Sequence, residues 1–135
     1  RKNFKLVREA MSLINDDNIQ LINLFPIEPN NFPKYLNESS VFVLSSYNEG
    51  SPNVIKEAMA CNIPVISTDV GDVKEIIHNV EGCYITSFNP EDLANKIKKV
   101  ISLNKRTEGR KNIKHLNSII IAKKIINIYS KILKK

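Results

Sequence analysis

The sequence predicts an α/β fold with a doubly wound parallel sheet, and two observations lead to that prediction. Three short runs, at residues 41–46, 64–68 and 82–86, are apolar and rich in β-branched or aromatic side chains, which is typical of strands covered on both faces. Helical patterns alternate with these runs along the chain, as they do in a parallel sheet with helices on its faces. The arrangement is that of half of a nucleotide-binding architecture. We expect one domain without an internal boundary in these 135 residues.

The first third of the chain predicts a helix, a strand and a proline-rich connection. Residues 4–14 place apolar side chains at helical spacing. Residues 19–24, IQLINL, form a short apolar run of strand length. Residues 25–33 contain three prolines, so neither a helix nor a strand can continue through them. Residues 33–40 can form a short helix, because proline is well placed in a first helical turn.

Helix start signals predict three further helices. Residues 51–60 predict a helix with Ser51 as its N-cap and Pro52 as its first residue. A short helix is expected at residues 72–77. A longer helix is expected at residues 89–103, where an asparagine cap, early acids and later lysines suit the helix dipole.

A last helix, at residues 118–133, has isoleucines on one side and lysines on the other. We expect its isoleucine side to pack on the domain, and docking on an anionic membrane surface is the alternative. The chain carries a net charge of +6, much of it after residue 96. Such a balance suits nucleic acid, an anionic membrane or a phosphorylated ligand. Because the basic residues are not interleaved with aromatic ones and include no arginine cluster, we expect no nucleic-acid partner.

Disulfide and metal chemistry are not expected. Cys61 and Cys83 form no C-x-x-C pair and have no nearby histidine, so they predict free buried thiols in a reducing cytosol. His78 and His115 stand alone, without the partners that a metal site needs. No apolar run approaches the ~20 residues of a membrane span. The chain is therefore expected to be cytoplasmic.

A candidate ligand site follows the second predicted strand, in the segment 44–53, LSSYNEGSPN. In an open parallel sheet, ligands bind beyond the carboxyl ends of the strands. The first N–H groups of the next helix lack partners and carry the positive end of the helix dipole, which favours a phosphate. Gly50 allows the backbone to approach a ligand closely. This segment therefore predicts an anion site.

Two glutamates flank that helix start. Asn53 and Glu57 are four residues apart and share one helix face, with ~6 Å between them along the axis. That distance is about the step from a diphosphate to the ribose of the same nucleotide, and a carboxylate can accept two hydrogen bonds from a ribose diol. Glu49 would face the sugar end of the diphosphate. The alternatives are that Glu49 is a solvated loop acid and that Glu57 shares an exposed face with Lys56.

The segment 49–57, EGSPNVIKE, has the form E-x7-E, and its surroundings are distinctive. PKYLNESSVFVLSS precedes it and AMACNIPVISTDVGDVKEII follows it. With this context the chain closely resembles the retaining glycosyltransferases of family 4, which have the GT-B fold built from two Rossmann-like halves. The resemblance implies that residues 1–135 are the carboxyl-terminal, donor-binding domain. Because the sequence lacks an initiator methionine and opens directly on a helical pattern, we expect a fragment whose N-terminal acceptor domain is absent.

The resemblance also implies roles for the matching residues. Glu49 would be the catalytic glutamate, which contacts the transferred sugar near its anomeric carbon. Glu57 would bind the ribose hydroxyls of the donor. Lys2 would face the diphosphate, although Asn3 follows it where the family usually has glycine. The backbone amides of one segment would contact the sugar and the diphosphate: Gly50, Ser51, Pro52, Asn53 and Val54.

Other parts of the chain match the family less closely. The arginine that the family places upstream of the lysine would precede residue 1. Only residues 19–24 fill a space where many relatives have more strands and a helix, so the base-binding loop near residues 25–29 is not assigned. Residues 68–75, TDVGDVKE, predict a strand-to-helix turn with a capping acid, or a loop that lines the cleft.

The function implied by the resemblance is transfer of a hexose-type sugar with retention of configuration. The donor would be a UDP-, GDP- or ADP-sugar, and the acceptor a glycan or a lipid-linked glycan in surface polysaccharide or glycoconjugate synthesis. No cofactor or metal is expected. The partners would include the N-terminal domain of the same protein and, as an option, the inner face of the membrane. We expect the isolated domain to be inactive. The alternatives are a non-catalytic nucleotide-sugar-binding module and a GT-B sugar-nucleotide epimerase.

Overall fold

Residues 2–133, which the computed structural model describes, form three strands and seven α-helices. The strands are β1 (Phe42–Leu44), β2 (Val65–Thr68) and β3 (Tyr84–Thr86). The helices are α1 (Phe4–Ile14), α2 (Phe32–Glu38), α3 (Asn53–Ala60), α4 (Val73–Ile76), α5 (Pro90–Leu103), α6 (Gly109–Asn112) and α7 (Ser118–Leu133). Short 3-10 turns precede α2 and α7, at Pro29–Asn31 and Lys114–Leu116.

The sheet is parallel throughout, with the strand order β1-β2-β3. Leu44 of β1 lies beside Ser67 of β2, and Thr68 of β2 lies beside Thr86 of β3. All four residues of β2 are buried, as expected for a strand covered on both faces. In β1, Phe42 and Val43 are only half-buried, because β1 is the outer strand of this sheet and has a neighbour on one side.

Helices cover both faces of the sheet, which confirms the predicted doubly wound α/β fold. Successive side chains of a strand point to opposite faces, and β2 follows this rule. Val65 packs in an apolar cluster with residues of α2, α3 and α4, whereas Ile66 packs in a second cluster with residues of α1 and α5. The two clusters form one core layer on each side of the sheet.

The prediction of a strand at residues 19–24 is wrong. The segment is irregular, and no described strand pairs with it. Leu21 and Ile22 are exposed, and only Ile19 packs against the cluster of α1 and α5. The N–H of Ile19 donates to the carbonyl of Asp16 at 3.1 Å, and the Asn23 side chain accepts from the backbone N–H of Phe25 at 3.2 Å, so local turns flank the segment at both ends.

The last helix, α7, has the predicted bounds, but the predicted packing of its isoleucine side on the domain is wrong. Ile119, Ile126 and Ile132 are each more than 60% exposed, and no residue of α7 is buried. Its main contacts within residues 2–133 are with the 3-10 turn that precedes it. None of the described helices is both long enough and apolar enough to cross a membrane.

Candidate functional site

The turn between β1 and α3 holds the Glu49 carboxylate in a fixed position. The hydroxyl of Ser46, which is fully buried, donates a hydrogen bond to Oε1 of Glu49 at 2.7 Å. The Nζ group of Lys2 donates to the same oxygen at 3.0 Å. The Glu49 side chain is 25% exposed, so the carboxylate keeps access to solvent. The structure thus brings together two predicted site residues that are 47 positions apart.

The start of α1 brings Lys2 to this place. The backbone N–H of Asn3 donates to the carbonyl of Ser45 at 3.1 Å, and the Ser45 hydroxyl donates to the carbonyl of Asn3 at 2.8 Å. The Asn3 side chain also accepts from the N–H of Leu6 and caps α1. Lys2 therefore sits on a backbone that is fastened to the carboxyl end of β1.

These donors keep Glu49 charged. The hydrogen bond from Ser46, followed by the one from Lys2, holds the pKa of Glu49 below its ordinary value. A carboxyl with a lowered pKa is ionised at neutral pH and so has no proton to donate. The arrangement suits a carboxylate that accepts hydrogen bonds or stabilises positive charge, rather than a general acid.

The start of α3 differs from the prediction. The helix begins at Asn53, and Pro52 precedes it in an extended conformation with φ −68° and ψ 115°. Ser51 does not cap the helix, because its hydroxyl donates to Oδ2 of Asp72 and accepts from Nζ of Lys56. The carbonyl of Pro52 instead accepts the N–H of Ile55 at 3.1 Å.

Four backbone N–H groups at this helix start make no hydrogen bond within the part of the chain that the structure describes: those of Gly50, Ser51, Asn53 and Val54. Pro52 was included among the amides predicted to bind the donor, but proline has no N–H to donate. It contributes shape only. Unpaired amides at the positive end of a helix dipole favour an anion, so the predicted anion site would have four backbone donors rather than five.

Glu57 lies on the exposed face of α3, as Asn53 does. No residue within 2–133 forms a salt bridge or a side-chain hydrogen bond with it, so its carboxylate is open to a ligand. Lys56 is turned toward Ser51 instead. Exposure is compatible both with ribose binding and with a plain surface glutamate, and the donor affinity of a Glu57→Ala variant distinguishes the two.

The segment 69–75 lies against the Glu49 turn. The N–H of Asp72 donates to the carbonyl of Gly50 at 3.1 Å. Gly71 has φ +55°, and a Cβ atom there would lie 1.9 Å from the Gly50 oxygen. The segment is thus a strand-to-helix turn that contacts the Glu49 turn, but the predicted capping acid is wrong, because the Asp72 side chain makes no cap hydrogen bond to α4 and accepts from Ser51 instead. The contact between these glycines has no signal in the sequence, and the only signal of Ser46 is a hydroxyl at the end of a covered strand.

A cavity lies elsewhere in the described part of the chain. It has a volume of about 480 Å³ and is lined in part by Pro64 and Gly82, which precede β2 and β3. It therefore opens at the amino ends of the strands, whereas open α/β sheets bind ligands at the carboxyl ends. Within residues 2–133, no group of three or more histidine, cysteine or acidic side chains has the arrangement of a metal site.

Comparison with known proteins places this geometry in a family context. A family model described as glycosyl transferases group 1 matches residues 1–116. The chain is 44% identical over 66 residues to an uncharacterized glycosyltransferase of Methanocaldococcus jannaschii. The matched region covers 48% of this chain and 16% of that relative. It is 31% identical over 108 residues to the capsular polysaccharide biosynthesis glycosyltransferase CapM of Staphylococcus aureus, covering 75% of this chain and 28% of CapM.

A third relative has a more specific name. The N,N'-diacetylbacillosaminyl-diphospho-undecaprenol alpha-1,3-N-acetylgalactosaminyltransferase of Campylobacter jejuni is 29% identical over 105 residues, covering 73% of this chain and 28% of the relative. The chain spans less than a third of the length of each of these three relatives.

Proposed function

Because the chain belongs to the group 1 glycosyl transferases, we propose that it is the donor-binding domain of a retaining glycosyltransferase of family 4 with the GT-B fold. The observation that carries the proposal is the Lys2–Glu49 pair beside four unpaired amides at the start of α3. A cation and free N–H groups suit a diphosphate, and a charged carboxylate next to them suits the sugar carbon from which that diphosphate departs.

The proposed donor is a nucleotide diphosphate sugar that lies along the start of α3. Its diphosphate accepts hydrogen bonds from the amides of Gly50, Ser51, Asn53 and Val54, and Lys2 adds a positive charge. Its ribose lies one helical turn further, where Glu57 accepts hydrogen bonds from two hydroxyls. UDP-, GDP- and ADP-sugars share these features, and the base would be bound by segments outside this site.

The proposed reaction moves a hexose-type sugar to a glycan or lipid-linked acceptor. The bond between the anomeric carbon and the diphosphate oxygen breaks, and the acceptor oxygen forms its bond on the same face of the sugar. The acceptor proton passes to the departing diphosphate. Lys2 and the amides stabilise the negative charge on the leaving group, and Glu49 stabilises the positive charge at the anomeric carbon. We propose that this chemistry needs no metal ion, so a chelator leaves turnover unchanged.

The proposed partners extend beyond the donor. In a GT-B enzyme the acceptor binds mainly to an N-terminal domain, and the exposed isoleucine side of α7 offers an apolar surface to such a domain. The lysines on the same helix suit an anionic membrane surface as a second partner. The name of CapM supports a role in polysaccharide synthesis, and the name of the Campylobacter jejuni transferase, which contains a diphospho-undecaprenol sugar, supports a lipid-linked acceptor. We further propose that the protein works in the cytoplasm, at the inner face of the membrane.

The experiment that tests donor binding is calorimetric titration of the chain with UDP-, GDP- and ADP-glucose. We expect one of these to bind, and Glu57→Ala to weaken it about ten- to a hundredfold, because hydrogen bonds to a charged group are lost. Glu81→Ala is the matched control, since Glu81 is also exposed but precedes β3 at the opposite edge of the sheet. An absence of binding by all three, or equal effects of the two variants, contradicts the proposal.

A further inference from the structure

Two exposed aromatic side chains stack on each other at the carboxyl edge of the sheet. Tyr47 is 61% exposed and Phe88 is 50% exposed. Their ring centroids are 5.2 Å apart and their planes differ by 21°. Tyr47 follows β1 and Phe88 follows β3, and these strands are separated by β2. The two loops therefore reach toward each other across the end of the central strand.

The core does not explain this pair. Neither Tyr47 nor Phe88 belongs to the apolar cluster on either face of the sheet. Large apolar side chains that meet outside a core and stay in solvent often mark a binding surface. Aromatic side chains at such surfaces offer a rigid, flat contact area. The stack lies beyond the carboxyl ends of the strands, where open α/β sheets bind ligands.

A small hollow of about 160 Å³ adjoins the pair. It is lined by the rings of Tyr47 and Phe88 and by four residues at the start of α1, which are Asn3, Lys5, Leu6 and Glu9. Lys5 and Glu9 approach each other at 3.6 Å and are both exposed, so their charges stay available to a ligand. The hollow is smaller than the ~300–1,000 Å³ pockets that enclose a whole small-molecule ligand. It suits a single ring.

We propose that the stacked rings of Tyr47 and Phe88 form a platform, and that the apolar face of a pyranose ring packs on an outer face of the stack. The C–H groups of a sugar face carry partial positive charge, and the face of an aromatic ring carries partial negative charge. The hydroxyl groups at the rim of the sugar then meet Lys5 and Glu9, which supply a hydrogen-bond donor and an acceptor.

The position of the platform links it to the proposed reaction, on which this inference rests. Tyr47 is two residues before Glu49, so their Cα atoms lie within about 7.6 Å of each other. The platform is therefore carried by the same loop as the carboxylate that we propose to face the anomeric carbon. Both the transferred sugar of the donor and the terminal sugar of the acceptor have this chemistry, and the experiment separates them.

The first measurement is saturation-transfer NMR of the full chain with methyl α- and β-hexopyranosides. We expect transfer to the ring C–H protons of at least one glycoside, reduced roughly fivefold or more by Tyr47→Ala and by Phe88→Ala. Tyr47→Phe retains the aromatic face and keeps the transfer. Tyr129→Ala, which removes an equally exposed tyrosine from α7, changes nothing. Thermal unfolding of each variant checks that the fold is intact.

The second measurement compares nucleotide diphosphates with nucleotide sugars by calorimetry. If the platform holds the transferred sugar, Tyr47→Ala weakens UDP-, GDP- or ADP-glucose and leaves the sugar-free diphosphate unchanged. If the platform holds the acceptor sugar, Tyr47→Ala leaves both nucleotide affinities unchanged, while the NMR saturation transfer to the glycosides is lost. Glycoside binding without any nucleotide binding refutes the proposed function and keeps the platform. The platform is refuted if the wild-type chain shows no transfer, or if folded Tyr47→Ala and Phe88→Ala variants bind every sugar as the wild type does.

Discussion

Glu49 and Glu57 are the same side chain at the two ends of one motif, and they lie in opposite surroundings. Glu49 is held by Ser46 and Lys2 in a turn that is braced by a neighbouring loop. Glu57 stands on an open helix face without a partner among residues 2–133. The fold fixes the charge of the first glutamate in advance and leaves the second free to meet a ligand. Substitution of Glu49 should therefore affect turnover and stability, whereas substitution of Glu57 should affect donor affinity.

The largest expected effect is on turnover. In an active enzyme that contains this chain, Glu49→Ala should lower kcat about 10²- to 10³-fold, because a fixed electrostatic partner of the transition state is lost. Donor affinity should change much less. Glu49→Gln keeps an acceptor for Ser46 and removes the charge, so it should lower kcat almost as much. Steady-state kinetics measure this, and normal turnover in either variant would refute the assigned role.

A second large effect concerns the support of the Glu49 turn. Gly71→Ala places a methyl group against the Gly50 carbonyl in a left-handed backbone conformation. We expect it to lower the free energy of unfolding by about 2–4 kcal/mol. Gly50→Ala is the matched control, because a Cβ at Gly50 meets nothing within 4 Å. Urea denaturation compares the two. Similar losses would mean that the loop contact does not hold the turn.

A moderate effect is expected from Ser46. Ser46→Ala removes a buried hydroxyl that donates to a charged carboxylate, which should cost about 1–2 kcal/mol of stability at pH 7. Ser67→Ala is the control, because Ser67 is equally buried and donates to a neutral carbonyl. The NMR-monitored pKa of Glu49 should rise in Ser46→Ala and stay low in Ser67→Ala.

The sign of the pH dependence follows from the lowered pKa of Glu49. A carboxyl whose pKa is depressed by folding adds stability above its unfolded-state pKa, and this contribution disappears as the pH falls through the folded-state pKa. The difference in stability between wild type and Ser46→Ala should therefore be largest at neutral pH and shrink below about pH 4. A difference that is constant between pH 7 and pH 3 would show that Ser46 acts through packing rather than through the charge of Glu49.

Sequence patterns predicted the elements whose signals are local. Asn89 caps α5 as expected and accepts the N–H of Glu91 at 2.8 Å, because a cap depends only on residues of its own turn. The alternation of Val65 and Ile66 between two core layers likewise follows from strand geometry. The E-x7-E segment also has a local pattern, and it led to a glycosyltransferase prediction, which the comparison confirms at the level of the group 1 glycosyl transferases.

The errors arose where distant residues decide. Residues 19–24 have strand composition, but a strand exists only if a neighbouring strand pairs with it. Ser51 is a good helix cap by type, yet its hydroxyl donates to Asp72, which lies 21 positions away, and accepts from Lys56 of the helix itself. The packing of α7 depends on the surface that it meets, which is formed by residues outside the helix. The contact of Lys2 with Glu49 spans 47 positions and leaves no trace in either local pattern.

The smallest expected effect is the stability change in Glu57→Ala, and it is the sharpest test of the comparison. Because Glu57 is exposed and has no described partner, its removal should change the free energy of unfolding by less than about 0.5 kcal/mol. Glu49→Ala, in contrast, should destabilise the domain at pH 7 because Ser46 loses its charged acceptor. A loss above about 1 kcal/mol in Glu57→Ala would mean that this carboxylate has a structural partner. The loss of donor affinity expected in the same variant would then no longer identify a ribose contact, since a disturbed α3 would displace the phosphate-binding amides as well.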